Sequence, residues 1–286
     1  MFFSNLFLFG FLFFLLGAII GSFLNVVILR YGSGMNIKGR SQCFSCGKKL
    51  LWYELIPILS FVFIRGRCRG CKSSIAIQYP LVEVFTGILF VLTFLKFSNF
   101  LSPYYIPYTA YYLLIWSLLI IIFVYDFRHK IIPDGIVYSF ALLTLGLLLV
   151  QGIMSGAILT TPFLLRVING PLLFIPFFLL WFLSRGTWMG FGDAKLALGI
   201  GFMFDFSQSF AVLLLSFWIG AVVGVGLILV PKLQKGVFMR NNPLPNALKG
   251  LTIKSEIPFA PFLIFAVFIE FFFALDIIKV FSRLIS

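Results

Sequence analysis

Residues 1–29 read MFFSNLFLFGFLFFLLGAIIGSFLNVVIL and contain no charged side chain. A helix of about 20 predominantly apolar residues is long enough to cross the hydrocarbon core of a bilayer. A secretory signal peptide would combine a basic first region with a small-residue cleavage site, and the stretch shows neither feature. It therefore predicts a retained transmembrane helix.

The composition extends this prediction to the whole chain. Of its 286 residues, 61% are hydrophobic, 19% are aromatic and only 11% are charged, and the mean hydropathy is +1.10. Soluble domains carry about 25% charged residues, so this chain has too few charges to cover a soluble core. The numbers exclude a soluble globular protein, a disordered chain and a coiled coil. They predict an all-α polytopic membrane protein.

Seven further apolar runs bring the predicted number of transmembrane helices to eight. The run at 193–205 is short for a full crossing at about 1.5 Å of rise per residue. The seven predicted spans are 79–97, 104–126, 135–154, 162–184, 193–205, 208–230 and 257–278.

The distribution of basic residues orients these helices. With the N-terminus outside, 18 of the 22 Lys and Arg residues lie on the inner side, in 30–78, 127–134, 185–195 and 231–256. If the short run did not cross, the five basic residues of 231–256 would move outside, against the positive-inside tendency. This bias also accounts for the net charge of +13, so the charge needs no nucleic-acid partner.

The polar insert at 30–78 contains every cysteine of the chain, in two CxxC pairs. Two such pairs can place four thiolates tetrahedrally around one Zn²⁺ ion. Gly47 and Gly70 are expected to take the turn conformations, and neighbouring Lys and Arg side chains can offset the negative charge. Two disulfides or four free thiols are the alternatives, but an insert on the inner side lies in a reducing compartment. The predicted ligands of a structural zinc ion are Cys43, Cys46, Cys68 and Cys71.

Two acids at the inner ends of predicted helices are candidates for catalysis. Asp126 lies at the inner end of the 104–126 run, and Asp193 lies at the inner start of the short helix, in the sequence GFGD. Ionisable groups near membrane-helix interiors are costly and suggest function. Two neighbouring carboxylates share one proton, and such a pair can activate water and protonate a leaving amine. His129 is the only histidine, which excludes an HExxH zinc protease site.

The sequence around each acid indicates how it is placed. Gly190 and Gly192 flank Phe191 and allow a close backbone approach. Asp193 begins a helix, where the dipole favours its charged form, whereas Asp126 ends one, where the dipole disfavours it. This contrast predicts unlike environments for the two partners.

Structural roles are the alternatives for these acids. Asp193 could be an N-cap, and Asp126 could pair with a nearby basic side chain at the headgroups. Asp134 is expected to be the N-cap of the following helix, although it could also contact substrate. Glu83 is expected to be functional or to pair with a basic residue, and Glu54 to be an interface charge.

Four motifs follow one another along the chain: GSFLNVVILR at 21–30, a cysteine-containing module at 43–87, YDFRHKIIPD at 125–134 and MGFGDAKL at 189–196. Together they resemble the motifs of the type IV prepilin leader peptidases, which are membrane aspartyl proteases of the GxGD type. GSFLNVVILR at 21–30 is similar to the family's opening motif. The CFSC, WYELIPILSF, GRCRGC and IAIQYPLVEVFTG segments match its cysteine module. YDFRHKIIPD at 125–134 and MGFGDAKL at 189–196 match its two aspartate motifs.

The resemblance implies that Asp126 and Asp193 are the catalytic pair of a bacterial cytoplasmic-membrane enzyme, acting on the cytoplasmic side in type IV pilus assembly and protein secretion. The substrate would be a prepilin or pseudopilin with a basic leader, cut after a Gly. Members with the cysteine module commonly also methylate the new N-terminus with S-adenosylmethionine, and the motifs assign no residue to that cofactor. Residues expected to shape the site or contact substrate are Gly190, Gly192, Lys195, Asp134, Glu83 and Glu54.

The predicted organisation is therefore a first transmembrane helix at 1–29, a cytoplasmic zinc-ribbon-like module at 30–78 that faces anionic headgroups, and a membrane-embedded aspartyl protease domain at 79–286. Two rival hypotheses remain at this point. One is a peptidase without methyltransferase activity, because the insert departs from the family by lacking Pro after Cys43 and Leu-Pro after Arg30. The other is a transporter whose acids bind cations.

Overall fold

The computed structural model of the chain describes residues 2–36, 39–98, 105–158, 160–237 and 258–273. Across these ranges the regular structure is helical, with two isolated antiparallel bridges and no strand. The insert contributes a 3₁₀ turn at Trp52–Leu55. The nine helices are α1 (Phe2–Arg30), α2 (Leu59–Phe63), α3 (Gln78–Phe97), α4 (Tyr105–His129), α5 (Asp134–Met154), α6 (Thr161–Ser184), α7 (Phe191–Met203), α8 (Phe206–Val237) and α9 (Ala260–Phe273).

Each of the eight predicted spans coincides with one of these helices, and α2 is the additional, short helix of the insert. Six helices, namely α1, α3, α4, α5, α6 and α8, are long and apolar enough to cross a membrane. The other two, α7 with 13 residues and α9 with 14 described residues, fall below that length. The polar loop predicted at 231–256 begins later than expected, since α8 continues to Val237, and the rest of it lies outside the described residues.

The chain forms two compact units, Met1–Val124 and Tyr125–Ser286. In the first unit α1 packs on α3 through small residues. A Cβ atom at Gly17 would lie 2.7 Å from the Cα of Gly87, and one at Gly21 would lie 2.8 Å from the Cα of Glu83. Small residues let the backbones of membrane helices approach closely, so α1 and α3 form a tight pair that carries the insert between them.

In the second unit every residue of the short helix α7 is buried or half-buried. Ala194, Leu196, Ala197 and Ile200 have no solvent exposure. A Cβ atom at Gly199 would lie 2.5 Å from the Phe140 ring of α5. Small residues along α7 therefore let its neighbours close around it.

The C-terminal end of α7 is satisfied by a side chain from α6. The buried Asn169 amide donates to the carbonyl oxygens of Gly201 and Phe204, at 2.9 and 2.8 Å, and to the Ser209 hydroxyl at 2.7 Å. The last carbonyls of a helix lack partners within it, and leaving them unpaired in an apolar interior is costly. Asn169 thus allows α7 to end inside the protein after 13 residues.

Candidate functional site

Asp126 lies in the last turn of α4, within the second unit, and is only 4% exposed. Its carboxylate accepts a hydrogen bond from the backbone amide of Ala260, the first residue of α9. The positive end of the α9 dipole therefore points at this carboxylate and favours a negative charge there. The sequence-based expectation considered only the unfavourable dipole of α4, so the contrast predicted between the two aspartates is reduced.

Asp193 lies in the first turn of α7 and is 6% exposed. Gly190 is the N-cap of this helix, and its backbone amide donates to the Asp193 carboxylate. Asp193 is thus the third helical residue, where a side chain can reach back to the N-cap amide. The alternative that Asp193 is itself the N-cap is wrong.

The two carboxylates interact electrostatically within the second unit. Asp126 Oδ2 and Asp193 Oδ1 are each buried without a hydrogen-bond partner among the described residues. A buried polar atom left unpaired costs about 1–3 kcal/mol, so such atoms need an explanation. A proton shared between the carboxylates, or a water molecule bound between them, would satisfy both oxygens.

The residue between the two glycines anchors the start of α7 to α6. The Phe191 ring lies 4.8 Å from the Trp181 ring and 6.2 Å from the Phe174 ring, measured between centroids. Aromatic pairs at such separations stabilise a fold beyond the area that they bury. The side chain of Phe191 thus fixes the backbone from which Asp193 projects.

Gly192 allows the start of α7 to pack closely against the loop that follows Asp126. A Cβ atom there would lie 2.8 Å from the Cβ of Ile132, whereas one at Gly190 would meet its nearest atom, Asp193 Oδ2, at 3.7 Å. Gly192 is therefore required by packing between the two aspartate motifs. Gly190 is exposed and leaves open space beside the Asp193 carboxylate.

Lys195 joins α7 to the start of α5. Its Nζ atom lies 2.7 Å from Asp134 Oδ1, and it also lies over the rings of Tyr138 and Phe191 at 5.0 and 4.8 Å. Asp134 is the first residue of α5, and its N-cap is Pro133. The expectation that Asp134 caps the helix is wrong, because its carboxylate pairs with Lys195 instead.

Glu83 lies in the first unit, in the second turn of α3, and is 7% exposed. Its Oε2 atom accepts a hydrogen bond of 2.7 Å from the backbone amide of Ile58 in the insert. The residue at position 58 has a φ of 62°, which is unusual for a β-branched side chain. Glu83 therefore has a defined structural partner, and it fastens the insert to α3.

The four cysteines meet in one cluster of the first unit, with their sulfur atoms all within 4.8 Å of one another. None of them forms a disulfide. The Cys43 and Cys71 sulfur atoms are 3.9 Å apart, close to the separation of about 3.8 Å that a tetrahedron with Zn–S bonds of about 2.3 Å requires. This donor set fits a zinc ion, and the alternative of two disulfides is not observed.

The surroundings of the cluster favour thiolates at two positions. The backbone amides of Cys46 and Ser45 lower the pKa of the Cys43 thiol to about 6. Hydrogen bonds from the side chain and amide of Ser73 lower the pKa of Cys71. Since metal ions bind the thiolate form, these two lowered pKa values favour metal binding. The pKa of Cys46 is instead raised to about 11, because the lowering effect of the Lys48 amide is outweighed by the neighbouring thiols and burial.

Glu54 connects the two cysteine pairs and is 8% exposed. Its carboxylate lies 3.3 Å from Lys48 Nζ, beside the first pair, and 4.0 Å from Arg69 Nε, within the second. It also accepts the Leu51 amide at 2.9 Å, and this bond lowers the pKa of Glu54. Glu54 thus links the two cysteine pairs within the insert. The expectation that it is an ordinary interface charge is wrong.

Two family models match the chain in the order in which its motifs occur. The one described as the bacterial peptidase A24 N-terminal domain matches residues 15–97, and the one described as the type IV leader peptidase family matches residues 112–225. An Aeromonas hydrophila protein named prepilin leader peptidase/N-methyltransferase is 33% identical over 243 residues, which cover 76% of this chain and 80% of that protein. The chain belongs to the type IV leader peptidase family.

Two more relatives from this leader peptidase family have the same name. A Myxococcus xanthus protein is 33% identical over 232 residues, which cover 78% of this chain and 64% of that protein. A Xanthomonas campestris protein is 28% identical over 297 residues, which cover 94% of this chain and 92% of that protein. No solved structure matches the chain at a significant level.

Gly192 of the leader peptidase motif is predicted not to tolerate a larger side chain. Gly192→Ala places a methyl group against Ile132 and is expected to reduce leader cleavage by about 10²-fold, because a small displacement of a catalytic group can have that effect. Gly146→Ala in α5 adds a Cβ atom that has no atom within 4 Å, and it serves as the matched control away from the aspartates. Single-turnover cleavage rates of both variants test this prediction, and equal losses would contradict it.

The two cysteine pairs of this leader peptidase homologue use different residues at equivalent turn positions. Gly47 has a φ of 68° directly after Cys46, and Lys72 has a φ of 59° directly after Cys71. Gly70 is not among the residues with positive φ, so the expectation that it takes the second turn conformation is wrong. Lys72 takes that conformation although it carries a Cβ atom.

This asymmetry predicts opposite effects of two substitutions on zinc retention. Gly47→Ala introduces a Cβ atom into open space but at positive φ, which costs about 1 kcal/mol, whereas Lys72→Gly removes that cost. Competition with a chelator should show zinc held about 5-fold less tightly in the first variant and more tightly in the second. Weaker retention in both variants would contradict the assignment of strain to position 72.

Two contacts of the site were not predicted from the sequence. One is the amide of Ala260, and Pro261 just inside the start of α9 is a signal that could have located that helix start. The other is the link that Glu54 forms between the two cysteine pairs. The only signal for it in the sequence is a single acid among basic residues. The Ala260 amide is 134 residues from Asp126 in the chain, whereas Glu54 contacts Leu51 and Lys48 nearby and Arg69 in the second cysteine pair.

Proposed function

We propose that this protein is a membrane aspartyl endopeptidase that removes the leader peptide of type IV prepilins or pseudopilins. One observation carries the proposal. Asp126, in the last turn of α4, and Asp193, in the first turn of α7, are both buried, and each keeps one carboxylate oxygen unpaired among the described residues. The names of the relatives support the choice of prepilins as substrates.

The chemistry follows from a shared proton. The ionised aspartate removes a proton from a water molecule, whose oxygen attacks the scissile carbonyl carbon, while the protonated aspartate hydrogen-bonds to the carbonyl oxygen. When the tetrahedral intermediate collapses, the C–N bond breaks and the leaving nitrogen takes up the proton that the initially ionised aspartate removed from water. The leader then ends in a carboxylate, and the pilin begins with a free amine.

The residues around the pair have supporting roles in this proposal. Gly190 offers an open backbone beside Asp193, where an extended substrate segment can approach. Lys195 and Asp134 position the start of α7 through their ion pair, and the exposed Asp134 carboxylate can also attract a basic leader. Glu83 fastens the insert to α3 through its hydrogen bond with the Ile58 amide.

Zinc is proposed to organise the insert. Cys43, Cys46, Cys68 and Cys71 would hold it, and a site closed by four thiolates leaves no open position for a substrate. The ion would supply cross-linking of the two cysteine pairs. The division into a first helix at 1–29, a zinc module at 30–78 and a protease domain at 79–286 belongs to the same proposal.

The proposal includes methylation of the new N-terminus with S-adenosylmethionine. The names of the relatives include N-methyltransferase. The cysteine pairs of this chain lie in the part matched by the N-terminal family model. The cell location proposed is the bacterial cytoplasmic membrane, with the aspartates on the cytoplasmic side. The excess of basic residues in the segments on that side supports this orientation.

An intact-mass measurement tests the proposed function. A prepilin is incubated with the purified protein in lipid nanodiscs, with and without S-adenosylmethionine. The expected products are a pilin lacking its leader, and a pilin with one additional methyl group when the donor is present. Loss of the leader without methylation would overturn the transferase part alone, and unchanged mass across several prepilins would overturn the whole proposal.

A further inference from the structure

The insert contains a helical turn whose apolar face points away from the protein. In α2, Leu59, Val62 and Phe63 are 54%, 63% and 77% exposed. Their spacing, three and then one residue apart, places them on one side of the helix. Phe61 on the other side contacts Gly66 of the insert, since a Cβ atom there would lie 3.0 Å from its ring.

The chain before α2 adds further exposed apolar surface. Trp52 is 78% exposed, and Leu55 and Ile56 are 42% and 38% exposed. We call the residues from Leu51 to Phe63 the apolar segment. A contiguous exposed apolar surface on a polar module marks a site of interaction.

A hydrogen bond fixes the depth of the apolar segment relative to the membrane helices of the first unit. The amide of Ile58, at the start of α2, donates to Glu83 Oε2 at 2.7 Å. Glu83 lies five residues after the start of α3, and α3 is one of the helices long enough to span the membrane. At about 1.5 Å per residue, that contact is about 7.5 Å along α3. The start of α2 is therefore held beside the edge of a transmembrane helix.

The charges of the insert complement a lipid surface. Five exposed basic residues flank the apolar segment in sequence, while the single acid of residues 30–78, Glu54, is buried and ion-paired within the insert. Trp side chains are enriched where membranes meet water, and basic residues attract anionic headgroups. The five exposed basic residues are Lys49, Arg65, Arg67, Arg69 and Lys72.

From this combination we infer that the apolar segment is an interfacial anchor, which inserts Leu59, Val62 and Phe63 into the headgroup boundary of the bilayer. An exposed apolar face at the level of the first turns of α3, flanked in sequence by positive charge, has the properties of an interfacial amphipathic element. The anchor holds the cysteine cluster of the insert against the membrane surface. It is a property of the first unit and does not depend on the reaction that the second unit performs.

Quenching of a site-specific fluorophore tests the anchor. A coumarin amino acid replaces Phe63 in the full-length protein, and a matched variant carries it at Ser74, an exposed residue on the far side of the second cysteine pair in sequence. Both variants are placed in nanodiscs of phosphatidylethanolamine and phosphatidylglycerol. Zinc content and leader cleavage show that each variant is folded.

The expected result is opposite behaviour of the two positions. Lipids with a nitroxide near the headgroup should quench position 63 several-fold more than position 74, and aqueous iodide should quench position 74 several-fold more than position 63. Equal access of iodide to both positions would overturn the inference. Protection of position 63 from both quenchers would also overturn it, because a protein surface and not lipid would then cover the segment.

Discussion

Asp126→Asn and Asp193→Asn are each expected to reduce leader cleavage by about 10²–10⁴-fold, the range associated with a positioned acid or base. Asparagine keeps the shape of the side chain but cannot exchange the shared proton. Because both carboxylates act on one water molecule, the double variant is expected to be no slower than the slower single variant. Rates are measured by single-turnover cleavage of a prepilin.

A matched control exists at the other end of α7. Asp205 follows that helix, and its carboxylate is 60% exposed and pairs with Arg166 at 2.6 Å. Asp205→Asn removes a negative charge from the same unit without touching the buried pair, so its cleavage rate should stay within about 2-fold of the unchanged protein. A comparable loss in all three variants, or full activity in either of the first two, would contradict the assignment of the catalytic pair.

Cys68→Ser is expected to abolish stable zinc binding and to unfold the insert. The Cys68 side chain is 5% exposed and is the most buried of the four thiols. Structural zinc contributes about 10–16 kcal/mol in small zinc-binding peptides, far more than the remaining contacts of a module of this size can replace. Metal analysis should show the loss of zinc, and limited proteolysis should show new cuts between Arg40 and Ile77.

Ser74→Ala is the control for this change, since Ser74 is exposed in the same module and keeps all four thiolates. It should retain zinc and resist proteolysis like the unchanged protein. If Cys68→Ser retained both properties, the cysteine cluster would not be a structural metal site. Because no step of peptide cleavage passes through the insert, Cys68→Ser should reduce cleavage less than either aspartate substitution.

The helices were predictable because apolar length is a strong signal. The first helix was predicted over 1–29 and observed over Phe2–Arg30, and α3 and α6 differ from their predicted ranges by one residue at one end only. The short helix was predicted at 193–205 and observed at Phe191–Met203. Its length of 13 residues was predicted, but both ends lie two residues earlier than expected. The Asn169 side chain that caps its end comes from another helix, so the sequence did not indicate where the helix stops.

The candidate site could be predicted from the sequence only in part. The positions of Asp126 and Asp193 follow from motifs, and their burial together agrees with the pattern. The amide of Ala260 and the contact between Gly192 and Ile132 arise only when distant segments pack together. The exposed face of α2 was not predicted, because an i, i+3, i+4 apolar pattern ordinarily indicates a face turned toward the core.

The most direct test of the central claim is to follow the oxygen atom that enters the leader. A prepilin is cleaved in ¹⁸O-labelled water containing hydroxylamine, and the released leader is analysed by mass spectrometry. If the aspartates activate water for direct attack, the leader ends in a carboxylate with one ¹⁸O atom and contains no hydroxamate. A leader that ends in a hydroxamate would reveal an acyl-enzyme intermediate, and it would contradict the aspartyl mechanism.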